Sequence, residues 1–375
     1  MKVLILSCNT GEGHNSCAAA LEEECRSQNI PCDTEDALRF ISPEVSRFIS
    51  NWHVRIYRHA PGLFRVGYRA AEDHPAQFHE GSALYRYLTQ GAEKLCGFIA
   101  GGGYDTVICT HTFAALMVSE VVKTHLPNLK TCFIATDYTC SPSVKDSSLD
   151  RYFIPASSLS GDFLGGGVTS ERLRACGIPV RQMFRSSVRK EDAKRAFGIP
   201  ADHKHLVMMC GSMGCGPIMS IARRIGRDLP DDQDLTIVCG TNKQLYRRLQ
   251  RRFYDAKNVH VRSYVKDMAL LMDSADLYLT KPGGISVTEA ASMRLPMVFI
   301  DAVAGCEEYN KDFFLRTGGA ATGKTPAEIA RVSLKLLSDE NTLEKMGDAL
   351  DTAVPHDAAA SILSEMSEAE EGELA

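Results

Sequence analysis

Short apolar runs that end in glycine turns recur along this chain. Lys2-Val-Leu-Ile-Leu-Ser-Cys8 is apolar without alternation, the pattern of a strand buried on both faces. The turn Thr10-Gly-Glu-Gly-His14 follows. Asn15 or Ser16 then stands where a helix cap belongs, ahead of a helix from Cys17 to Ser27 with Ala20, Leu21 and Cys25 on one side. The order repeats: Asp105–His111 reads as a strand leading into a helix from Phe113 to Lys123, Lys130–Asp137 as a third strand and Arg151–Pro155 as a fourth. Strands alternating with helices predict a parallel α/β sheet. The stretch Arg181–Lys194 is polar and basic with no strand pattern, and reads as a linker. The pattern then restarts with a strand at His205–Cys210, the turn Gly211-Ser-Met-Gly-Cys-Gly216 and a helix from Pro217, a favoured first helical residue. Further strands are expected at Asp234–Cys239, Asn258–Val261, Ala275–Thr280 and Pro296–Ile300, and helices from Pro326 to Met366. The acidic end, Ser367–Ala375, is expected to fray. The fold class is therefore α/β, with two Rossmann-like domains that each open on a strand and a glycine turn. Their expected limits are 1–185 and 186–345, with a C-terminal helix and acidic tail over 346–375 that has the option of returning to the first domain.

Composition narrows the class. A length of 375 residues accommodates two or three domains at roughly 100–200 residues each. With 44% hydrophobic and 24% charged residues the chain is not a disordered one. A net charge of −5 argues against a dedicated nucleic-acid binder. No stretch approaches the ~20 apolar residues that span a bilayer. Val3–Leu6 falls short of the roughly 7–15 apolar residues of an export signal, so none is expected. The 13 cysteines form no C-x-x-C pair, and Cys109, Cys132, Cys210 and Cys239 lie inside apolar runs, where a thiol acts as a small hydrophobe. A reducing cytoplasm suits that usage.

Several features could do chemistry. Gly11-Glu-Gly13 begins a dinucleotide fingerprint but has Ser16 where the third glycine belongs; the acids Asp33, Glu35 and Asp36 lie where a ribose ligand would. His14 is placed at the C-terminal edge of the first strand, where open α/β sheets bind ligands, and is read either as a general base or as a residue packed at a helix start. Gly211-Ser-Met-Gly214 is read as an anion cradle at a helix N-terminus or as a plain tight turn. In Thr280-Lys-Pro-Gly-Gly-Ile-Ser-Val-Thr-Glu289, Pro282-Gly283-Gly284 predicts a sharp turn that uses glycine's access to positive φ. Ser286 and Glu289 then form either a capping box or a phosphate- and ribose-binding pair. The segment Arg47–Arg69 interleaves Arg47, Arg55, Arg58, Arg65, Arg69, His53 and His59 with Phe48, Trp52, Tyr57, Phe64 and Tyr68, without an acid. That mixture suits the headgroup layer of an anionic membrane, a core helix with a solvated arginine face, or a nucleic-acid patch; Pro61-Gly62 divides it into two short helices.

Thr280-Lys-Pro-Gly-Gly with Thr288-Glu-Ala290, Leu295-Pro296 and Gly305-x-Glu307-x-x-Asn310 resembles the nucleotide-sugar half of GT-B glycosyltransferases. Gly11-Glu-Gly-His-Asn15 is similar to the start of the monogalactosyldiacylglycerol synthase and processive diacylglycerol glucosyltransferase group. The resemblance covers roughly residues 1–345. It implies the GT-B arrangement, two Rossmann-like domains with parallel sheets facing across a cleft. It also implies inverting transfer of a hexose from UDP-glucose, UDP-galactose or UDP-N-acetylglucosamine to a diacylglycerol-type lipid. His14 matches the family's base and Asp137, in Thr136-Asp137-Tyr138, an assisting residue. Gly211, Ser212, Gly214, Tyr264, Val265, Gly283, Gly284, Ser286, Val287, Thr288 and Glu289 match the UDP-binding positions, and Glu307 and Asn310 those near the donor sugar. Trp52, Arg55, Tyr57, Arg58, Phe64 and Arg65 fall in the acceptor and membrane region. No cofactor is implied beyond the UDP-sugar co-substrate. No Asp-x-Asp element with metal-ligand character appears, so no metal is expected. The resemblance places the protein peripherally on the cytoplasmic face of the cell membrane, with no nucleic-acid partner. Ala304-Gly-Cys-Glu307 replaces the frequent Pro-Gly-Gln-Glu, which leaves the sugar open, and Thr139–Lys145 lacks the usual His and Trp. A UDP-sugar epimerase or hydrolase, or a non-catalytic nucleotide-sugar binder, is the alternative on the same fold.

Overall fold

The computed structural model describes residues 1–9, 12–49, 66, 69–211, 214, 216–300 and 305–368. These form two compact units, one from Met1–Gln182 together with the segment from Pro355, the other drawn from Met183–Val354.

The first unit holds β1 (Val3–Ser7), β2 (Cys32–Asp36), β3 (Thr106–Cys109), β4 (Lys130–Ile134), β5 (Arg151–Phe153) and β6 (Leu173–Arg174). They form one parallel sheet in the order β2-β1-β3-β4-β5-β6. β1 and β3 are buried throughout, consistent with their largely apolar sequences, in which only the terminal Ser7 and Thr106 are polar. The order reverses between β1 and β3, so their C-terminal ends splay apart and leave a crevice there. The second unit holds β7 (Lys204–Met209), β8 (Gln233–Val238), β9 (Val259–Arg262), β10 (Leu277–Thr280), β11 (Met297–Phe299) and β12 (Ala320–Thr322). Its parallel order is β12-β11-β10-β7-β8-β9, the doubly wound dinucleotide-fold order, with its reversal between β7 and β10. Both glycine turns of this unit, after β7 and after β10, therefore sit at its switch point.

The structure corrects several sequence expectations. The first helix runs Glu12–Ser27, so His14 lies inside its first turn and neither Asn15 nor Ser16 caps it; Glu12 is favoured there by the helix dipole. The supposed linker becomes helical at Lys190–Phe197, closed by Gly198 at φ +76°. The strands β2, β6 and β12 went unread because all three are sheet edges: β2 has a polar sequence, and β6 and β12 have only two and three residues. The final stretch is helical as expected, in three helices, Pro326–Leu337, Glu340–Ala353 and Ala358–Glu368. The last buries Ala358, Ala359, Ile362, Leu363 and Met366 and packs against Glu12–Ser27. Its Glu365 accepts a bond from Arg174 Nε at 3.1 Å.

Candidate active site

In the first unit, the helix that follows β1 delivers His14 to the end of β3. The His14 Nδ1 lies 2.8 Å from the Thr110 carbonyl oxygen. A carbonyl only accepts, so Nδ1 carries the proton and the lone pair sits on Nε2. The Thr136 hydroxyl, after β4, lies 3.0 Å from the same nitrogen, and the Thr110 hydroxyl donates back to the His14 carbonyl at 3.2 Å. Burial pushes the imidazole below the ordinary histidine value; the Asp137 carboxylate and the Thr110 carbonyl oppose that shift. A neutral ring with an unprotonated Nε2 is the form a general base needs near neutral pH. The neighbouring polar groups are tied down. Asn15 accepts from Ser7 Oγ at 2.7 Å and donates to Asn9 at 2.9 Å, and Asn9 donates to Asp36 at 3.0 Å. Asp36 also takes the Leu38 N–H at 3.0 Å and the Ser46 hydroxyl. Its oxygens are thus committed to holding the loop after β2, which removes it as a ribose ligand.

In the second unit, Gly211 and Gly214 follow β7 with φ of +64° and +56°. A Cβ on Gly214 would stand 2.4 Å from the Cys239 carbonyl oxygen, whereas one on Gly211 would meet nothing within 4 Å. Asn242 locks the turn in place: its Nδ2 donates to Gly214 O at 3.1 Å while its Oδ1 caps the helix Lys243–Arg252 through Leu245 N at 2.9 Å. Tyr264 and Val265 follow β9 at the same sheet edge, Tyr264 strongly exposed. After β10 the chain turns within three residues, Gly283 N–H donating to Lys281 O at 2.9 Å around Pro282. The helix Gly284–Ser292 starts at once, with Gly283 as its cap at φ −74°. Positive φ is not used here, and Ser286 is not the cap, so the capping-box reading of Ser286 and Glu289 does not hold. What glycine 283 provides is room: no protein atom comes within 4 Å of where its Cβ would be. Gly283, Ser286 and Glu289 recur every three residues along the partly open face of this helix. Val287 and Thr288 are buried; the Val287 N–H is spent on Gly283 O and the Thr288 hydroxyl on Gly284 O at 2.7 Å. Glu307 is buried in the first turn of the helix Cys306–Thr317. Asn310, fully buried, donates to Pro282 O at 2.9 Å and so braces the turn.

Residues 14–180 match the family model of monogalactosyldiacylglycerol (MGDG) synthase, and residues 222–351 that of glycosyl transferases group 1. A processive diacylglycerol beta-glucosyltransferase of Staphylococcus saprophyticus is 24% identical over 356 residues, covering 94% of this chain and 88% of that one. The corresponding Bacillus pumilus protein is 26% identical, covering 92% and 89%. The chain is thus a glycosyltransferase whose first part matches the monogalactosyldiacylglycerol synthase family and whose second part matches the group 1 glycosyl transferases, with distant similarity to the diacylglycerol glucosyltransferases along most of its length. Among solved structures, Acinetobacter baumannii MurG superimposes with a TM-score of 0.65 at 14% identity, covering 98% of this chain and all of that one. The UDP-GlcNAc 2-epimerase of Neisseria meningitidis gives 0.62 at 14%, with coverage of 98% and 100%. These likenesses identify the fold as GT-B-type.

The glycosyltransferase's remaining predicted site residues fall unevenly. Trp52, Arg55, Tyr57, Arg58, Phe64, Arg65 and Ser212 lie outside the described residues. Cys140, in the stretch that departs from the family pattern, is a thiol pushed up to about 12 by burial, and the strand cysteines Cys109 and Cys132 are buried and likewise raised. Sequence reading overlooked Lys281. It is buried beside the glycine turn, its Cε 3.4 Å from where a Gly216 Cβ would stand; a lysine directly after an apolar strand was the available signal. It also overlooked His111, whose ring centroid is 4.5 Å from that of His14.

Proposed function

We propose that this glycosyltransferase moves a hexose from a UDP-sugar to the hydroxyl of a diacylglycerol-type lipid with inversion at the anomeric carbon. The observation that carries the reading is His14, at the switch point of the first unit, with its proton fixed on Nδ1 and its Nε2 lone pair available. In the reaction Nε2 takes the acceptor hydroxyl's proton as that oxygen bonds to the anomeric carbon, and the bond from that carbon to the diphosphate oxygen breaks. Asp137 assists by favouring the imidazolium that results. UDP departs carrying the charge, which the glycine turns at Gly211, Ser212 and Gly214 and at Gly283 and Gly284, the helix start at Ser286 and the buried Lys281 are suited to receive. Glu289 accepts from the ribose hydroxyls, Tyr264 and Val265 meet the uracil, and Glu307 lies towards the sugar. Val287, Thr288 and Asn310 support these groups rather than touch the nucleotide. Among the described residues no helix is long and apolar enough to cross a membrane; the protein meets its lipid peripherally, on the cytoplasmic face, through the segment containing Trp52, Arg55, Tyr57, Arg58, Phe64 and Arg65. The relatives' diacylglycerol acceptors and UDP-dependent fold-mates support this assignment.

The test is a screen of UDP-glucose, UDP-galactose and UDP-N-acetylglucosamine against vesicles with and without diacylglycerol, with products read by mass spectrometry. A glycosylated diacylglycerol formed in EDTA is expected. Free sugar or an epimerised donor without acceptor, and no glycolipid with any donor, would overturn the proposal.

A further inference from the structure

His111 is the N-cap of the helix Thr112–Thr124, with extended backbone, φ −139° and ψ 143°. Its Nδ1 accepts the Phe113 N–H at 3.0 Å. Accepting from an N–H requires a lone pair, so Nδ1 is unprotonated and the neutral ring carries its proton on Nε2. Protonating Nδ1 would forfeit the cap, so the cap itself holds this ring neutral. Asn, Asp or Ser would cap more simply and are the usual choices; an imidazole brings a ring that capping does not need. That ring meets His14 edge to face, centroids 4.5 Å apart at 69°. It also meets Phe113 edge to face, at 4.7 Å and 61°. Phe113 packs in turn on the cluster of Phe78, Tyr85, Leu88 and Leu116. His14 is thereby connected, ring to ring through His111 and Phe113, to the apolar core of its unit.

Two consecutive residues at the end of β3 thus act on one imidazole. Thr110 fixes its tautomer, and His111 lies against its ring. We infer that His111 is a positioning residue for transfer: its neutral ring holds His14 in place and favours the imidazolium that forms as the acceptor loses its proton. An aromatic ring kept uncharged attracts an adjacent cation, where a second charged histidine would repel it. The groups that face His14 among the described residues are the Thr110 carbonyl and His111 from the end of β3, and the Thr136 hydroxyl and Asp137 carboxylate from the loop after β4. His111 is the aromatic member of that set. The inference rests on the reading of His14 as the base.

His111→Asn separates the two duties, because asparagine retains a capping oxygen for the Phe113 N–H but removes the ring. The full-length protein would be assayed for glycolipid formation across pH, with UDP affinity by calorimetry and thermal unfolding alongside, and His14→Ala as a parallel variant. His111→Asn is expected to unfold near the wild-type temperature and bind UDP as tightly. Its kcat is expected to fall about tenfold, and the acid limb of kcat/KM to move to lower pH by roughly half a unit or more. Wild-type kcat and an unmoved acid limb in His111→Asn, with His14→Ala inactive, would overturn the role of His111 and leave His14 as base. Wild-type turnover in His14→Ala would instead remove the base reading on which the inference stands.

Discussion

Gly211 and Gly214 share one turn and nearly one backbone conformation, yet replacing each with alanine should have separable effects. Both sit in the left-handed region, at φ +64° and +56°. An alanine there costs about 1–2 kcal/mol, partly offset by about 0.4–1 kcal/mol from a stiffer unfolded chain. Beyond that the sites diverge. The Gly211 Cβ would meet no protein atom within 4 Å. The Gly214 Cβ would come within 2.4 Å of the Cys239 carbonyl oxygen, against the 3.0 Å that real Cβ atoms keep. That carbonyl cannot withdraw cheaply: the Cys239 N–H is bonded to Arg262 O at 3.0 Å and its oxygen accepts from Asn242 N at 3.1 Å. Overpacking of this kind adds about 1–3 kcal/mol. Gly211→Ala should therefore lose no more than about 1.5 kcal/mol in urea unfolding, and Gly214→Ala about 2–4 kcal/mol. In calorimetry with UDP the order of interest changes. The open space over Gly211 is where the diphosphate is assigned, so its methyl group should weaken UDP at least tenfold with the fold nearly intact. Gly214→Ala should lose both stability and UDP. The reasoning is refuted if Gly211→Ala binds UDP as the wild type does, or if the two variants are equally stable.

Two further expectations concern pH. The Asp137 carboxylate raises the His14 pKa against the lowering by burial. Asp137→Asn should therefore shift the acid limb of kcat/KM to lower pH and reduce the plateau, because the base persists further into acid but is weaker; an upward shift would contradict the assignment. In the second unit, burial depresses His205 from 6.5 to about 4, its ring enclosed by Ser274 and Thr236. The unfolded chain takes up this proton first as pH falls, so the stability associated with His205 is complete above pH 6.5 and is lost on descending towards about 4. The full effect is about 3 kcal/mol, and urea unfolding of His205→Asn should show a correspondingly flatter dependence over that interval.

The doubly wound plan was legible because central parallel strands are apolar without interruption, and glycine turns mark where they end. Three of the four edge strands gave no such signal: β2 is Cys-Asp-Thr-Glu-Asp, which pairs through its backbone while most of its side chains, Asp36 excepted, stay partly or fully exposed. The candidate base and both glycine turns stood out as short local motifs. The groups that tune them did not, since Thr110, His111 and Thr136 come to His14 from about a hundred residues away through sheet order alone. Asn310 shows the converse. Its motif position was readable, but only the fold reveals an amide turned inward to the Pro282 carbonyl.

The helix Ala358–Glu368 has a consequence for biosynthesis. It completes a lobe whose other strands and helices are all made before residue 183, so that lobe waits, with the apolar flank of Glu12–Ser27 uncovered, while the entire second lobe is translated. The protein cannot mature strictly from its amino end; the half that emerges first is the half that closes last, and a nascent chain halted before Pro355 presents a surface that chaperones would recognise.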